Sequence, residues 1–166
     1  MRLLRIAAYL ILLSTLTLAG CGYQLRGITE IPPELSPMYV QAPRSSRTAA
    51  AVRSALQANG VELAVAPKDA RTIIRILNEE EDNRVTAVDS GGKVIGTELQ
   101  LKVAFDAIDR GRETLAKQQV IEVSREYVNP GVEVIGKTEE ALLIRQDMRQ
   151  DMADRILHRL KAQLLN

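Results

Sequence analysis

The chain has 166 residues, and its 22 Lys or Arg against 21 Asp or Glu give a formal charge of +1. It has one His, one Cys and no Trp, and its aromatic residues are four Tyr and one Phe. One His and one Cys exclude a Cys/His zinc site and a disulfide framework. The near-neutral charge lacks the broad basic surface that binding to a phosphate backbone needs, and five aromatic residues are too few for a stacking platform for single-stranded nucleic acid.

The N-terminal segment has the pattern of a secretory signal. Two Arg residues precede an uncharged and largely apolar run, residues 6–20, which is too short to span a bilayer comfortably. The run ends in Leu18-Ala19-Gly20-Cys21, which resembles the bacterial lipobox, where the Cys thiol takes a diacylglycerol. We expect residues 1–20 to be a cleaved signal peptide and Cys21 to be the lipid attachment site.

Acylation of Cys21 would anchor the protein stably in the membrane, because two or more acyl chains bind a bilayer stably, whereas one acyl chain binds only marginally. Cleavage would leave 20 basic and 21 acidic side chains, so the mature chain would carry a net charge of −1. Gly22, and not Asp, follows the Cys, which by resemblance to enterobacterial lipoproteins favours the outer membrane and a periplasmic domain. The alternative is an ordinary signal peptide followed by an incidental Cys.

The beginning of the mature chain is rich in proline. Residues 21–44 contain four of the six prolines, a spacing that forbids a helix and predicts an extended tether. Within this tether, Met38-Tyr39-Val40 is a candidate first strand. We expect residues 45–166 to form a single α/β sandwich domain.

A first helix is predicted from about Arg47 to Asn59. Ser45 or Ser46 can cap its start, and Gly60 lies where a left-handed residue ends a helix. An apolar stripe runs along it at helical spacing, at Ala49, Val52 and Leu56. The following residues 61–65 are a candidate short extended piece.

Three longer strands are predicted next. Residues 71–77 are rich in β-branched side chains, with an extension to Val88 left open; residues 97–107 alternate apolar and polar positions, and residues 114–128 continue the same alternation. Keeping the apolar positions of the last two strands on one face requires a loop of odd length centred on Gly111. A second short turn is expected at residues 89–92, so these strands should be antiparallel neighbours.

The last element is predicted to be a helix from Thr138 to Leu165. Apolar residues recur there at every fourth position: Ile144, Met148, Met152, Ile156, Leu160 and Leu164. The pattern as a whole predicts two helices packed on one face of a small, mostly antiparallel sheet.

No residue pattern indicates an enzyme, a cofactor or a metal. His158 lies about 200° around the helix from the apolar stripe, as a surface His would. The acidic run of residues 79–82 could suggest paired catalytic carboxylates or a cation site, but such runs are usually solvated, and neighbours in a strand point to opposite faces. A hydrolase using Glu80, Glu81 and His158 is therefore the weaker alternative.

Several cations lie in or beside the predicted turns. They are Arg84, Lys93, Arg110, Arg112 and Lys137. Charges in turns usually serve solvation; the functional alternative is charge-assisted hydrogen bonding to a phosphorylated surface glycolipid.

Four patches of the mature chain form a recognisable set. They are Cys21-Gly22-Tyr23-Gln24-Leu25-Arg26, Arg53-x-x-Leu56-x-x-Asn59-Gly60-Val61-Glu62-Leu63, Arg125-x-Tyr127-x-Asn129-Pro130, and Gln146-Asp147-Met148 followed by Met152 and Asp154-Arg155. In this order they resemble the LptE family of lipopolysaccharide-assembly lipoproteins. The resemblance implies an α+β fold with two helices on one face of a mostly antiparallel four-stranded sheet.

The resemblance also implies a partner and a ligand. Members of the family sit as a plug inside the LptD outer-membrane β-barrel, assist its assembly, and with it move lipopolysaccharide to the outer leaflet. Basic residues at a hairpin tip and before the last helix are implicated in lipopolysaccharide contact, and the nearest positions here are Lys93 and Lys137, with Arg84 beside them. A general periplasmic scaffold lipoprotein is the alternative function.

Overall fold

A computed structural model describes residues 31–128 and 134–164, with side chains described for all of these except residues 134–138. The predicted signal peptide and Cys21 therefore lie outside the described residues. The strands are β1 (Met38–Gln41), β2 (Thr72–Val88), β3 (Val94–Asp109) and β4 (Thr114–Val128), and the helices are α1 (Thr48–Ala58) and α2 (Val134–Leu164).

The four strands form one sheet in the order β1-β2-β3-β4. β2, β3 and β4 are antiparallel neighbours joined by tight turns, as predicted. β1 instead pairs in parallel with the start of β2, because the chain passes through α1 between them. The prediction of two helices and four strands is confirmed, and the sheet is mixed.

α1 has the predicted stripe and the predicted end. Ala49, Val52 and Leu56 are all buried. Gly60 has a φ of +75°, and the amides of Gly60 and Val61 donate to the carbonyls of Gln57 and Leu56. This is a Schellman motif, which ends the helix and returns the apolar Val61 to the core.

The short extended piece predicted at residues 61–65 is reduced to one isolated bridge between Met38 and Leu63. Two backbone hydrogen bonds hold it, from Met38 N to Glu62 O and from Ala64 N to Met38 O, both at 2.8 Å. A turn of 3-10 helix at Pro67–Asp69 then takes the chain away from the sheet edge. The piece is too short to form a strand.

The main core lies between the sheet and both helices. β3 supplies its odd-numbered residues from Leu99 to Ala107, and β4 supplies Ile121 and Val123. From α2 the core receives Met148, Met152, Ile156 and Leu160, each at most 2% exposed, which confirms the predicted fourfold spacing. The two methionines are core residues.

An irregularity in β2 changes which of its side chains face the helices. Ile76 pairs with Phe105 but the next pair is Asn78 with Ala104, so Leu77 is an extra residue on β2, a β-bulge. Before the bulge, Ile74 and Ile76 lie in the core. After it, the odd-numbered residues of β2 pair with the core-facing residues of β3 and share their face.

The bulge brings the Glu79 carboxylate to the start of α1. Glu79 accepts hydrogen bonds from the amide of Thr48 at 3.2 Å and from the amide of Arg47 at 3.3 Å. Glu79 also accepts a hydrogen bond from the hydroxyl of Ser46 at 2.5 Å. The Ser46 Oγ in turn accepts a hydrogen bond from the amide of Ala49. Ser46 therefore contributes to the start of the helix, as predicted, but a carboxylate from another strand completes the cap. The expectation that the whole acidic run is solvated was wrong.

Removing the Glu79 carboxylate should destabilise the domain. We expect Glu79→Ala to lower the free energy of unfolding in urea by about 1–2 kcal/mol, as for the loss of a helix cap. The matched control is Glu80→Ala, which removes the neighbouring carboxylate from an exposed position and should change stability by less than about 0.5 kcal/mol. Equal effects of the two substitutions would contradict the cap.

Candidate functional site

Three of the five candidate cations, Arg84, Lys93 and Lys137, lie by position at the end of the sheet where β2 turns into β3, whereas Arg110 and Arg112 lie in the β3–β4 turn at the opposite end. We call the first of these the hairpin end; it comprises residues 83–98, residues 124–128 and the first turns of α2. Arg84 lies on β2, Lys93 lies in the turn, and Lys137 lies in the first turn of α2, although its side chain is outside the described residues. The predicted lipid site, Cys21, is also outside them.

The turn that carries Lys93 is held by Asp89. The Asp89 carboxylate accepts the amides of Gly91 and Lys93, both at 2.9 Å, and the backbone closes with Asp89 N donating to Lys93 O. Gly92 has a φ of +80°, a conformation that glycine adopts without steric strain. The backbone position of Lys93 at the tip is therefore fixed by its own turn.

Ion pairs orient α2 so that its start reaches the same end. Arg149 lies 3.2 Å from Glu81, and Arg145 donates to Asn83 at 3.2 Å, so the helix and β2 run in opposite directions. Lys137 precedes Arg145 by two helical turns, about 12 Å at 1.5 Å per residue. That distance places the backbone of Lys137 near the level of Ala87, close to the hairpin turn.

A second set of ion pairs fixes α2 on β4. Arg125 of β4 lies 2.8 Å from Asp151 and 3.7 Å from Asp147 on the helix, and Arg155 lies 2.9 Å from Asp151. The hydrogen bond from Arg155 holds the pKa of Asp151 below its usual range; Arg125 adds to this, and burial opposes it. Arg125, Asp147, Asp151 and Arg155 thus form one network between two elements, β4 and α2.

The hairpin end also exposes apolar side chains that the sequence analysis did not single out. Val85, Val88, Val94 and Val128 are 54%, 55%, 37% and 65% exposed. They flank the turn in two strands and the end of a third, where the sheet extends past the helix-covered core. The sequence feature that could have pointed to them is the presence of β-branched residues on both sides of a glycine-containing turn.

Arg84 is paired with an acidic residue of β3. Its guanidinium lies 2.7 Å from the carboxylate of Glu98 on the face of the sheet away from the helices. The same outer face carries a Lys102–Glu122 pair at 3.4 Å and a Thr86 hydroxyl that donates to Glu126 at 2.7 Å. The outer face is polar and its charges are largely paired.

The arrangement of the described residues does not assemble a catalytic centre. Glu80 and Glu81 point to opposite faces of β2, and His158 is exposed on α2, as its position predicts. Within residues 31–128 and 134–164, no three His, Cys, Asp or Glu side chains are grouped so that they could hold a metal ion. No helix of this part of the chain is long and apolar enough to cross a membrane.

The described residues form a small α+β domain whose hairpin end carries cationic positions beside exposed valines. A model of the LptE lipopolysaccharide-assembly family matches residues 35–160, which is more than half of the chain. The chain therefore belongs to the LptE family, and it is a non-enzymatic protein.

Named relatives and solved structures agree with the family. The LPS-assembly lipoproteins LptE of Yersinia pestis (strain Pestoides F) and Yersinia pseudotuberculosis serotype O:1b are each 28% identical over 159 residues, covering 94% of this chain and 75% of theirs. The rare lipoprotein B of Shewanella oneidensis is 25% identical, with a TM-score of 0.66 over 78% of this chain and 96% of that one. A lipoprotein B structure from Nitrosomonas europaea, 24% identical with a TM-score of 0.67 over 85% and 91%, shows the same fold.

The lowered pKa of Asp151 predicts a pH dependence. A depressed carboxyl pKa stabilises the fold above the unfolded value of about 3.9, and this contribution is lost as the pH falls through the folded pKa. We expect Asp151→Asn to cost about 1 kcal/mol at pH 7, allowing for solvent screening. The difference from wild type should vanish in strong acid.

Urea unfolding at a series of pH values measures this difference. Asp154→Asn is the matched control, since it makes the same substitution three residues further along α2 at an exposed position. A gap between wild type and Asp151→Asn that stayed constant down to strong acid would contradict the account.

Proposed function

We propose that the protein is a lipid-anchored outer-membrane subunit that plugs the LptD β-barrel, assists its assembly and takes part in delivering lipopolysaccharide to the outer leaflet. The observation that carries this proposal is the hairpin end, where cationic positions and exposed valines occur together at one end of the domain. Family membership supports it, because the named relatives are lipopolysaccharide-assembly lipoproteins.

The plug role is supported by the outer face of the sheet. The lumen of a large outer-membrane barrel is polar, so a domain inside it needs charged and hydrogen-bonding surfaces. The Arg84–Glu98 and Lys102–Glu122 pairs provide such a surface with its charges already matched. When ion pairs are buried against the polar lumen of a barrel, neither charge loses its solvent without gaining a partner.

The lipopolysaccharide role is supported by the chemistry of the hairpin end. Lipopolysaccharide is an amphiphile with phosphate groups beside acyl chains, so its recognition requires cations next to apolar surface. Lys93 and Lys137 would supply the cations, and Val88 and Val94 the apolar contacts. Arg84 would contribute through a guanidinium that also pairs with Glu98.

The anchor would be the acylated thiol and amine of Cys21. We expect mass spectrometry of the mature chain to find an N-terminal peptide that begins at a triacylated Cys21. Cys21→Ser should release the protein from membranes. A free Cys21 thiol in membrane-bound wild type would contradict this assignment.

Depletion of the protein tests the proposed function in cells. We expect loss of mature LptD barrel and of surface lipopolysaccharide, while an unrelated outer-membrane barrel keeps its level. Unchanged LptD and surface lipopolysaccharide would instead favour a general periplasmic scaffold lipoprotein.

Charge reversal tests the binding residues. Lys93→Asp and Lys137→Asp together should weaken binding of lipopolysaccharide to the full chain by at least about tenfold, since a charged hydrogen bond contributes about 1.5–3 kcal/mol. Lys68→Asp reverses a single charge in the exposed turn at Pro67–Asp69, away from the hairpin end, and should leave the affinity unchanged. Equal loss in all variants would point to a general charge effect and remove Lys93 and Lys137 from the site.

A further inference from the structure

A cleft of about 590 Å³ lies at the end of the sheet opposite the hairpin end. We call it the base cleft; it is formed where β1 and β2 start, β3 ends and β4 starts. Its lining residues are Leu35, Ser36, Pro37, Arg71, Thr72, Asp109, Arg110 and Leu115. The volume lies within the range of about 300–1,000 Å³ that is typical of small-molecule sites.

Two guanidinium groups border the base cleft. Within the described part of the chain, no ion-pair partner is found for Arg71 or Arg110. Arg110 Nε donates to the carbonyl of Ala70 at 3.3 Å, which ties the side chain to the cleft and leaves its terminal nitrogens for another acceptor. Paired guanidinium groups suit phosphate oxygens, which they can bind in a bidentate manner.

The cleft also contains a buried hydroxyl group without a partner. Thr72 is 1% exposed, and no hydrogen-bond partner for its Oγ1 is found among the described residues. An unsatisfied buried polar group costs about 1–3 kcal/mol until a hydrogen-bond partner satisfies it. A ligand oxygen in the cleft would do so.

Asp109 is the only carboxylate among the described lining residues, and it is partly engaged elsewhere. Asp109 Oδ1 accepts the amide of Glu113 at 2.7 Å, and the backbone of Asp109 closes the turn to β4 through its amide. Two guanidinium groups against one carboxylate leave the lining positive by one charge. The cleft therefore favours an anion.

The remaining lining favours an amphiphile over a bare anion. Leu35, Pro37 and Leu115 are half-buried, and Leu35 and Leu115 also pack on the main core. A free phosphate would leave this apolar wall in contact with water. An apolar portion beside the phosphate would cover it.

The chain path brings the base cleft near the membrane. Ile31 packs on the core close to Leu35, and Cys21 precedes Ile31 by ten residues, which span at most about 36 Å when extended. This step rests on the proposed acylation of Cys21. A cleft within that distance of a bilayer meets lipid headgroups at high local concentration.

We propose that the base cleft binds the phosphodiester headgroup of an anionic glycerophospholipid of the membrane that holds the anchor. Arg71 and Arg110 bind the phosphate oxygens, the Thr72 hydroxyl donates to the ligand, and Leu35, Pro37 and Leu115 contact the glycerol and the first acyl carbons. This site is separate from the hairpin end.

Native mass spectrometry of the full mature chain in a nonionic detergent tests the proposal. The probes are phosphatidylglycerol, phosphatidylcholine with the same acyl chains, and inorganic phosphate as competitor. We expect a one-to-one adduct with phosphatidylglycerol that forms at least about tenfold more readily than the phosphatidylcholine adduct and that equimolar phosphate does not displace. Equal adducts for both lipids would overturn the proposal, and complete displacement by equimolar phosphate would make this a free-phosphate site.

Variants locate the adduct and separate binding from folding. Arg71→Gln with Arg110→Gln should weaken the phosphatidylglycerol adduct by about tenfold or more, while Arg112→Gln, in the same turn but outside the lining, should not. Thr72→Val should weaken the adduct and also raise the Tm of the lipid-free chain, because it removes the orphaned hydroxyl. A lower Tm together with unchanged lipid binding would overturn the role of Thr72.

Binding of phosphatidylglycerol at the base cleft can be tested separately from the proposed lipopolysaccharide role. Lys93→Asp should leave the phosphatidylglycerol adduct unchanged, whereas the Arg71/Arg110 variant should leave lipopolysaccharide binding unchanged. Loss of both activities in both variants would show that the two ends are not separate sites.

Discussion

The single extra residue at Leu77 in β2 determines how both helices sit on the sheet. Strand side chains alternate between faces, so without the bulge Glu80 and Asp82 would face the helices. With it, Glu79 caps α1 and Glu81 lies at 3.2 Å from Arg149 of α2. One local irregularity therefore converts a solvated acidic run into the connection between the two layers.

That connection gives the domain two different ends. The core, the Glu81 pairs and the Arg125–Asp151 pair fix α2 along the sheet, so its start must lie at the hairpin end. The opposite end carries the cleft with Arg71, Arg110 and an orphaned threonine hydroxyl. In the proposed function, the base end lies near the inner surface of the outer membrane and the hairpin end contacts the barrel and lipopolysaccharide.

Much of this fold could be predicted from local patterns. The limits of β4 and the fourfold stripe of α2 follow from hydrophobic periodicity, and the odd loop length at Gly111 follows from parity alone. The loop is closed by Asp109 N donating to Glu113 O, with three residues between them. Its left-handed residue is Arg112, which a preference for glycine would not have indicated.

The features that sequence could not supply depend on pairing across the chain. The bulge is visible only when β2 is aligned with β3, because residues 71–88 read equally well with or without an extra residue. The parallel pairing of β1 depends on the path of α1. The family resemblance located Arg53, Arg125 and Asp147, but only the structure shows that Arg53 binds the Val40 carbonyl and that Arg125 holds α2 on β4.

The most direct test of the central claim, that the hairpin end is the functional end, is photocrosslinking in living cells. A photoreactive amino acid replaces Val88 at the hairpin end, and in a second strain it replaces Lys68 near the base. The account predicts crosslinks from position 88 to the LptD barrel and to lipopolysaccharide, and neither from position 68. Crosslinks to both from position 68, with none from position 88, would contradict it.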